Sequence, residues 1–382
     1  MLKTKIFAAY LPQYHVIKEN NEFWGEGFTD WVGVRKSTPQ FENHNQPRRP
    51  LGDNYYDLSD WKVLEWQAEL AKQYGVDGFC IYHYWFKDGH KVLETPAENL
   101  LRHSEIRISY FFSWDNNSWI RSWSNIAGNP WAPNFDKGNA ENTSPMLLEC
   151  EYGGKKEWKA HFEYLLPFFK DERYLRIDGK PVFQFFSDSS PQTLTEMGDY
   201  WHELAHENGL EGLFLMCQKA PFIDKHVFDN EFIYQPIGIW NRKRAIKRRI
   251  WKLLGISGNA QGLTQIDYDK AWAKIIRQTK RNANKQVYFS GIVRYDDSPR
   301  RGKRANVFIG DTPQKFEKWF AEFYQLNCRY NREFLLLTAW NEWGEGAYLE
   351  PDADSGYSYL EALKRAVCME GQEKSKCQNI QS

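Results

Sequence analysis

Short apolar runs rich in β-branched and aromatic residues recur along the chain: Ile6 to Leu11, Gly78 to Phe86, Ile108 to Trp114, Pro181 to Phe186, Leu213 to Cys217, Phe232 to Ile239, Val287 to Val293 and Phe334 to Trp340. Each has the length of a strand. Several are apolar nearly throughout, the pattern of strands covered on both faces in a parallel sheet. Between many of them the apolar period lengthens to that of a helix. Trp61, Leu64, Ala68 and Ala71 share one face, as do Trp158, Phe162, Leu165 and Phe169, and then Phe316, Trp319, Phe320 and Phe323. Eight strands interleaved with amphipathic helices, ending in a helix from about Tyr357 to Val367, predict a single (β/α)8 TIM barrel over residues 1–370, with a polar, frayed tail at 371–382. An open doubly wound sheet is the competing arrangement.

In a barrel of this kind, chemistry belongs on the loops after the carboxyl ends of the strands. Here those loops are long and concentrate aromatic and polar side chains. Tyr10 lies near the end of the first run, Gln13 just after it, and Trp24 in the Trp- and Gly-rich segment of residues 21–31. The second run carries Tyr82, His83, Tyr84 and Trp85. The third leads into Trp114, Asp115, Asn116, Trp119 and Arg121, and the seventh into Asp296 and Asp297 ahead of Arg300 and Arg301. The eighth runs into Trp340-Asn341-Glu342-Trp343-Gly344-Glu345-Gly346. Aromatic faces for sugar rings, with carboxylates and amides for hydroxyls, make these residues candidate glycan-binding groups. Strand alternation puts Tyr82 and Tyr84 on one side and His83 on the other, leaving His83 as either a sugar ligand or a core histidine.

Composition supports a glycan. Aromatic residues make up 16% of the 382, including 17 Trp, more than a core alone needs. The 50 basic and 50 acidic residues cancel, which argues against a nucleic-acid partner held by bulk charge. The 6 cysteines are scattered without a Cys-x-x-Cys pair, as expected in a reducing compartment. The first apolar run stops at Pro12 without a small-residue cleavage site, and no run approaches the roughly 18 apolar residues of a membrane span. These features predict a cytoplasmic protein.

The strongest chemical signal is Glu342 and Glu345, two carboxylates three residues apart among tryptophans and glycines. Glycoside cleavage commonly uses such a pair, one kept protonated and the other ionised, and apolar walls from Trp340 and Trp343 would separate the two roles. His202-Glu203-Leu204-Ala205-His206 matches a zinc-peptidase pattern, but the stripe Leu194, Met197, Trp201, Leu204 turns both histidines outward, so no metal or cofactor is expected. Asp352-Ala353-Asp354 resembles the Asp-x-Asp of nucleotide-sugar transferases, but it reads as a solvated loop, and no phosphate-binding glycine loop accompanies it. From Arg242 to Lys252 basic residues surround an apolar face of Ile246, Ile250, Leu253 and Leu254. This reads as a helix inserted over the barrel mouth, with peripheral contact to an anionic inner membrane as the second reading.

Taken together, Tyr10 to His15, Phe23 to Trp31, Gly78 to Phe86, Asp178 to Pro181 and Trp340 to Pro351 resemble the WbsX family, usually labelled as glycosyltransferases of lipopolysaccharide or O-antigen biosynthesis and related to the endo-α-mannosidases of glycoside hydrolase family 99. The resemblance implies a barrel acting on oligosaccharide or polysaccharide without a metal. It further implies that Glu342 assists a sugar 2-hydroxyl acting as internal nucleophile, and that Glu345 serves as acid and then base. Where relatives read Trp-Ala-Asn-Glu-Asn-Trp-Thr-Arg, this chain has Trp114 to Arg121 with Asn117 in place of the acid and a new acid at Asp115. A retaining hydrolase or transglycosylase of bacterial surface polysaccharide is therefore the leading expectation. A glycosyltransferase using a sugar nucleotide or lipid-linked sugar, and a catalytically silent glycan-binding barrel, are the alternatives.

Overall fold

The computed structural model describes residues 4–120, 146–187, 190–218, 226–239, 262–285 and 287–378. Eight parallel strands form one closed sheet: β1 (Lys5–Tyr10), β2 (Gly78–His83), β3 (Ser109–Trp114), β4 (Lys180–Phe185), β5 (Phe214–Gln218), β6 (Asn230–Ile233), β7 (Val287–Ile292) and β8 (Phe334–Thr338). Each pairs with its successor, and β8 pairs with β1 through Ala8 opposite Leu337, so the sheet has no free edge. This is the (β/α)8 barrel, and all eight apolar runs supply its strands.

Outside the sheet lie α1 (Trp61–Gln73), α2 (Thr95–Arg102), α3 (Lys155–Lys170), α4 (Pro191–Glu207), α5 (Tyr268–Arg281), α6 (Pro313–Arg329) and α7 (Ser358–Gln378). Their apolar stripes face the barrel. Leu194, Met197, Trp201 and Leu204 of α4 are all buried. Inside, Phe7 of β1, Phe111 of β3 and Phe334 of β8 meet at centroid distances of 5.3, 5.7 and 5.4 Å, with Tyr288 of β7 stacked on Phe334 at 4.4 Å. These rings come from strands that are not all neighbours, so they fill the barrel interior and close its lower end. Higher up, the hydroxyls of Tyr82 and Tyr234, from opposite sides of the ring, are 2.8 Å apart and form a floor beneath the carboxyl-end loops.

Boundaries differ from the sequence reading in three places. Strand β2 stops at His83, because the chain beyond it turns into an isolated bridge between Trp85 and Lys91. Strand β6 ends before Pro236, which has no N–H for a ladder, and a short 3-10 turn follows over Ile237–Ile239. Helix α7 runs to Gln378, beyond the end near Val367 that the apolar pattern predicts.

Candidate active site

The loop after β8 is a small hairpin. Asn341–Glu342 pairs antiparallel with Ala347–Tyr348 across the 3-10 turn Trp343–Glu345, and Gly346 adopts φ 55°, a left-handed conformation that favours glycine. The hairpin is fixed to the barrel by backbone mimicry. The Asn341 amide accepts from Leu11 N at 2.7 Å and donates to Leu11 O at 3.0 Å, continuing the β1 ladder with a side chain. Tyr14 donates to Asn341 O at 2.6 Å and accepts from Trp343 N at 3.1 Å. Beneath them Glu350 accepts from Trp343 Nε1 (2.7 Å), Tyr56 (2.9 Å) and Gln67 (2.7 Å), and Gln67 in turn accepts from Tyr10.

Glu342 and Glu345 are joined by one guanidinium. Arg300 Nη1 donates to Glu345 at 2.7 Å, and Nη2 donates to both Glu342 at 3.1 Å and Asp30 at 3.2 Å. Arg300 sits in the short helix Ser298–Arg301 after β7, and Asp30 begins the helix Asp30–Lys36 after β1. Three loops thus converge on one cation. Glu342 is the deeper glutamate, with 6% of its side chain exposed against 24% for Glu345. Burial pushes its carboxyl up to about 8; Arg300 opposes this, and Glu345 and Asp30 add to it. Among the carboxyls on Arg300, burial thus works against the charged form of Glu342.

Around this centre, the charges of Asp115, Glu342, Arg300 and Asp30 all act on the buried hydroxyl of Tyr84. Asp115 accepts from Asn117 Nδ2 at 2.6 Å, and burial raises it to about 6. Trp24 is half-buried against Phe28 and Trp119, and Trp119 also packs on Tyr84 and Phe86. Gln13 is half-buried and donates to Asn20.

Other candidates from the sequence lie behind this surface. Tyr10, Trp340, Trp343 and Asn341 are between 0 and 1% exposed, so they belong to the packed support of the glutamate hairpin. Trp114 is equally closed and donates to Trp85 O, while Trp85 stacks on His161 at 4.4 Å. His83 bonds His161 of α3 at 2.8 Å, and burial lowers its pKa to about 3. It is the core histidine of the two alternatives, because alternation turns it away from the axis. Asn116 is locked to Ser187 and Tyr152. Asp296 is fully buried and accepts from His44 and Gln46, while Asp297 accepts from Asn306 and pairs with Arg301. These two hold the Arg300 loop in place. Arg121 and the segment from Arg242 to Lys252 lie outside the described residues.

Two motifs resolve differently from each other. The imidazole of His202 contacts Val227 O and accepts from Leu213 N, and His206 is exposed, as the apolar stripe of α4 required. Asp352 corrects the expectation of a solvated loop. It is 1% exposed, pairs with Arg294 at 2.6 Å and accepts from Tyr348 and Ser355, because Arg294 needs a buried counter-ion where it lies between the Tyr348 and Tyr359 rings.

The family profile described as "Glycosyltransferase WbsX" matches residues 6–363. The chain belongs to this family. Among curated proteins, the WbsX chain is 28% identical over 379 residues to the uncharacterized protein WxcX of two strains of Xanthomonas campestris pv. campestris. The alignment covers 96% of the chain and 50% of each relative, so the chain spans about half their length. Among solved structures, a GH99 endo-alpha-mannosidase from Bacteroides thetaiotaomicron superposes with TM-score 0.58 at 13% identity, covering 98% of this chain and 100% of that one. A glycoside hydrolase-like protein superposes with TM-score 0.54 at 12% identity, covering 96% and 94%. At these identities the likeness is one of fold. Among the described residues, no helix is long and apolar enough to cross a membrane, and no cluster of His, Cys, Asp and Glu is arranged to hold a metal ion.

Four members of the centre, Asp30, Arg300, Tyr14 and Tyr234, were not selected from the sequence. All four lie in or beside loops after strands, but nothing in the sequence distinguishes Arg300, which turns inward, from Arg301, which pairs outward with Asp297.

The buried carboxyls make stability pH-dependent. Burial raises Glu350 from 4.5 to about 7 and Asp297 to about 6, whereas His44, Arg48 and Gln46 bring Asp296, and Arg294 and Ser355 bring Asp352, down to about 2 against the cost of burial. A carboxyl that binds its proton more tightly when folded stabilises the protein at low pH, and this stability is lost as pH rises from the unfolded to the folded value. For Glu350 that window opens at 4.5 and closes near 7, worth about 3 kcal/mol. Urea midpoints should therefore increase from about pH 8 to about pH 6.5; below that the buried His83, lowered to about 3, opposes the carboxyls, and below roughly pH 3.8 Asp296 and Asp352 add to the loss. A midpoint that decreases between pH 8 and pH 6.5 would contradict this account.

Proposed function

We propose that this WbsX chain is a retaining glycoside hydrolase or transglycosylase that processes a bacterial surface polysaccharide or its precursor, with Glu342 and Glu345 as the reacting carboxyls. The observation that carries this reading is the single guanidinium of Arg300 bound to both glutamates at the mouth of the barrel. Two carboxylates held on the two nitrogens of one fork are placed side by side, as a pair acting on a single glycosidic bond requires. In the 2-hydroxyl route, Glu342 takes the hydroxyl proton as that oxygen attacks the anomeric carbon. Glu345 protonates the departing oxygen and then takes the proton of the incoming water or sugar hydroxyl, whose attack on the anomeric carbon opens its bond to the 2-oxygen as Glu342 returns the proton to that oxygen. Protonating the departing oxygen requires the proton of the pair to stand on Glu345. Tyr84, Trp24, Trp119 and Asp115 then form the sugar-facing wall.

The test is incubation with fragments of O-antigen, capsule and exopolysaccharide, with released sugars followed by mass spectrometry and the new anomer by NMR. Product of retained configuration is expected. The family description favours a second reading, transfer from an activated sugar. Consumption of a sugar nucleotide or lipid-linked sugar, with every glycan left intact, would replace the first reading by the second.

A further inference from the structure

We propose that Arg300, anchored by Asp30, is a positioning residue that spaces the two glutamates and directs the single proton between them to Glu342 in the free enzyme. This rests on the reading of Glu342 and Glu345 as the reacting pair. The asymmetry lies in the fork. Nη1 gives Glu345 an unshared bond at 2.7 Å, whereas Nη2 divides itself between Glu342 at 3.1 Å and Asp30 at 3.2 Å. One cation facing three carboxylates leaves excess negative charge in a buried site. A proton relieves it at least cost on the carboxyl with the weaker hydrogen bond and the least water, which is Glu342.

Other elements hold the guanidinium in that place. Gly344 leaves room for it, since a Cβ there would stand 2.5 Å from Asp30 Oδ2 and 2.8 Å from Arg300 Nε. Asp296 donates its N–H to Glu345 O at 2.6 Å, and its carboxylate is fixed by His44 and Gln46, so the β7 and β8 loops move as one. The remaining titratable groups whose charges act with Glu342 are Tyr14 after β1, Tyr82 and Tyr84 at the end of β2, and Tyr234 after β6. Burial keeps all four hydroxyls protonated far above neutral pH. None of these competes for the proton. Substrate entering between the glutamates would draw Nη1 from Glu345 and free that carboxyl to receive it.

The experiment is a carbon-13 NMR titration of glutamate side-chain carboxyls in the full chain, with the Glu342 signal assigned by its disappearance in Glu342→Gln. It needs no substrate, so it is independent of whether any glycan is turned over. Arg300→Gln should move the Glu342 midpoint upward by about one unit or more, since the opposing cation is lost. Asp30→Asn should move it downward by a similar amount, since a like charge is removed and Nη2 becomes undivided. Asp30→Asn is nearly isosteric and decides the matter if Arg300→Gln fails to fold. A native circular dichroism spectrum with an unmoved Glu342 midpoint in Asp30→Asn, or a wild-type protein carrying the proton on Glu345, would overturn the proposal.

Discussion

Glu345→Gln is expected to lower turnover of a glycan substrate by about 10²–10⁴-fold while changing its Kd only a few-fold, because the amide keeps the shape of the carboxyl and loses only the transferable proton. Glu345 is the more exposed of the pair and lies at the open side of Arg300, where a departing oxygen can reach it. Glu342→Gln should cost a comparable factor by a different route, since the base towards the sugar hydroxyl is lost. A substrate whose leaving group needs no proton, such as a dinitrophenyl glycoside, separates the two. It should restore much of the rate to Glu345→Gln and none to Glu342→Gln. Equal rescue of both variants would exchange or dissolve the assigned roles, and full activity of either on the natural glycan would remove that residue from the chemistry.

The barrel was legible because its strands are buried on both faces, and burial of that kind writes itself into sequence as unbroken apolar runs. Phe334–Thr338 and Phe214–Gln218 are buried along their whole length. The glutamate pair was legible because both members lie in one short segment. The partner cation was not, because Arg300 lies 42 residues from Glu342 in sequence, and Asp30 lies 270 from Arg300. Their meeting depends on how three loops fold over one rim. For the same reason the tryptophans beside the glutamates looked like a ligand platform but are supports. Trp343 opens the turn between the two glutamates, and its indole N–H is spent on the buried Glu350. Asp296 shows the same limit. Its position after a barrel strand suggested substrate contact, whereas its carboxylate is occupied by His44 and Gln46, about 250 residues earlier in the chain.

Gly344→Ala should reduce turnover by about 10²-fold with a melting temperature close to that of the wild type, because misplacing reacting groups by about 1 Å has a kinetic penalty of that size. Gly344 lies between Glu342 and Glu345 and is not in the left-handed region, so alanine is tolerated by its own backbone. The methyl group has no room on the other side. It would meet Asp30 Oδ2 at 2.5 Å and Arg300 Nε at 2.8 Å, and neither can yield without stretching the bonds from Arg300 to the glutamates. The hairpin stays tied down by Asn341, Tyr14 and Glu350, and the three atoms nearest the methyl belong to Asp30 and Arg300. Loss of activity without loss of stability therefore reports on the position of the guanidinium alone. If Gly344→Ala turned over glycan at the wild-type rate, the three-carboxylate arrangement around Arg300 would not be the one that reacts.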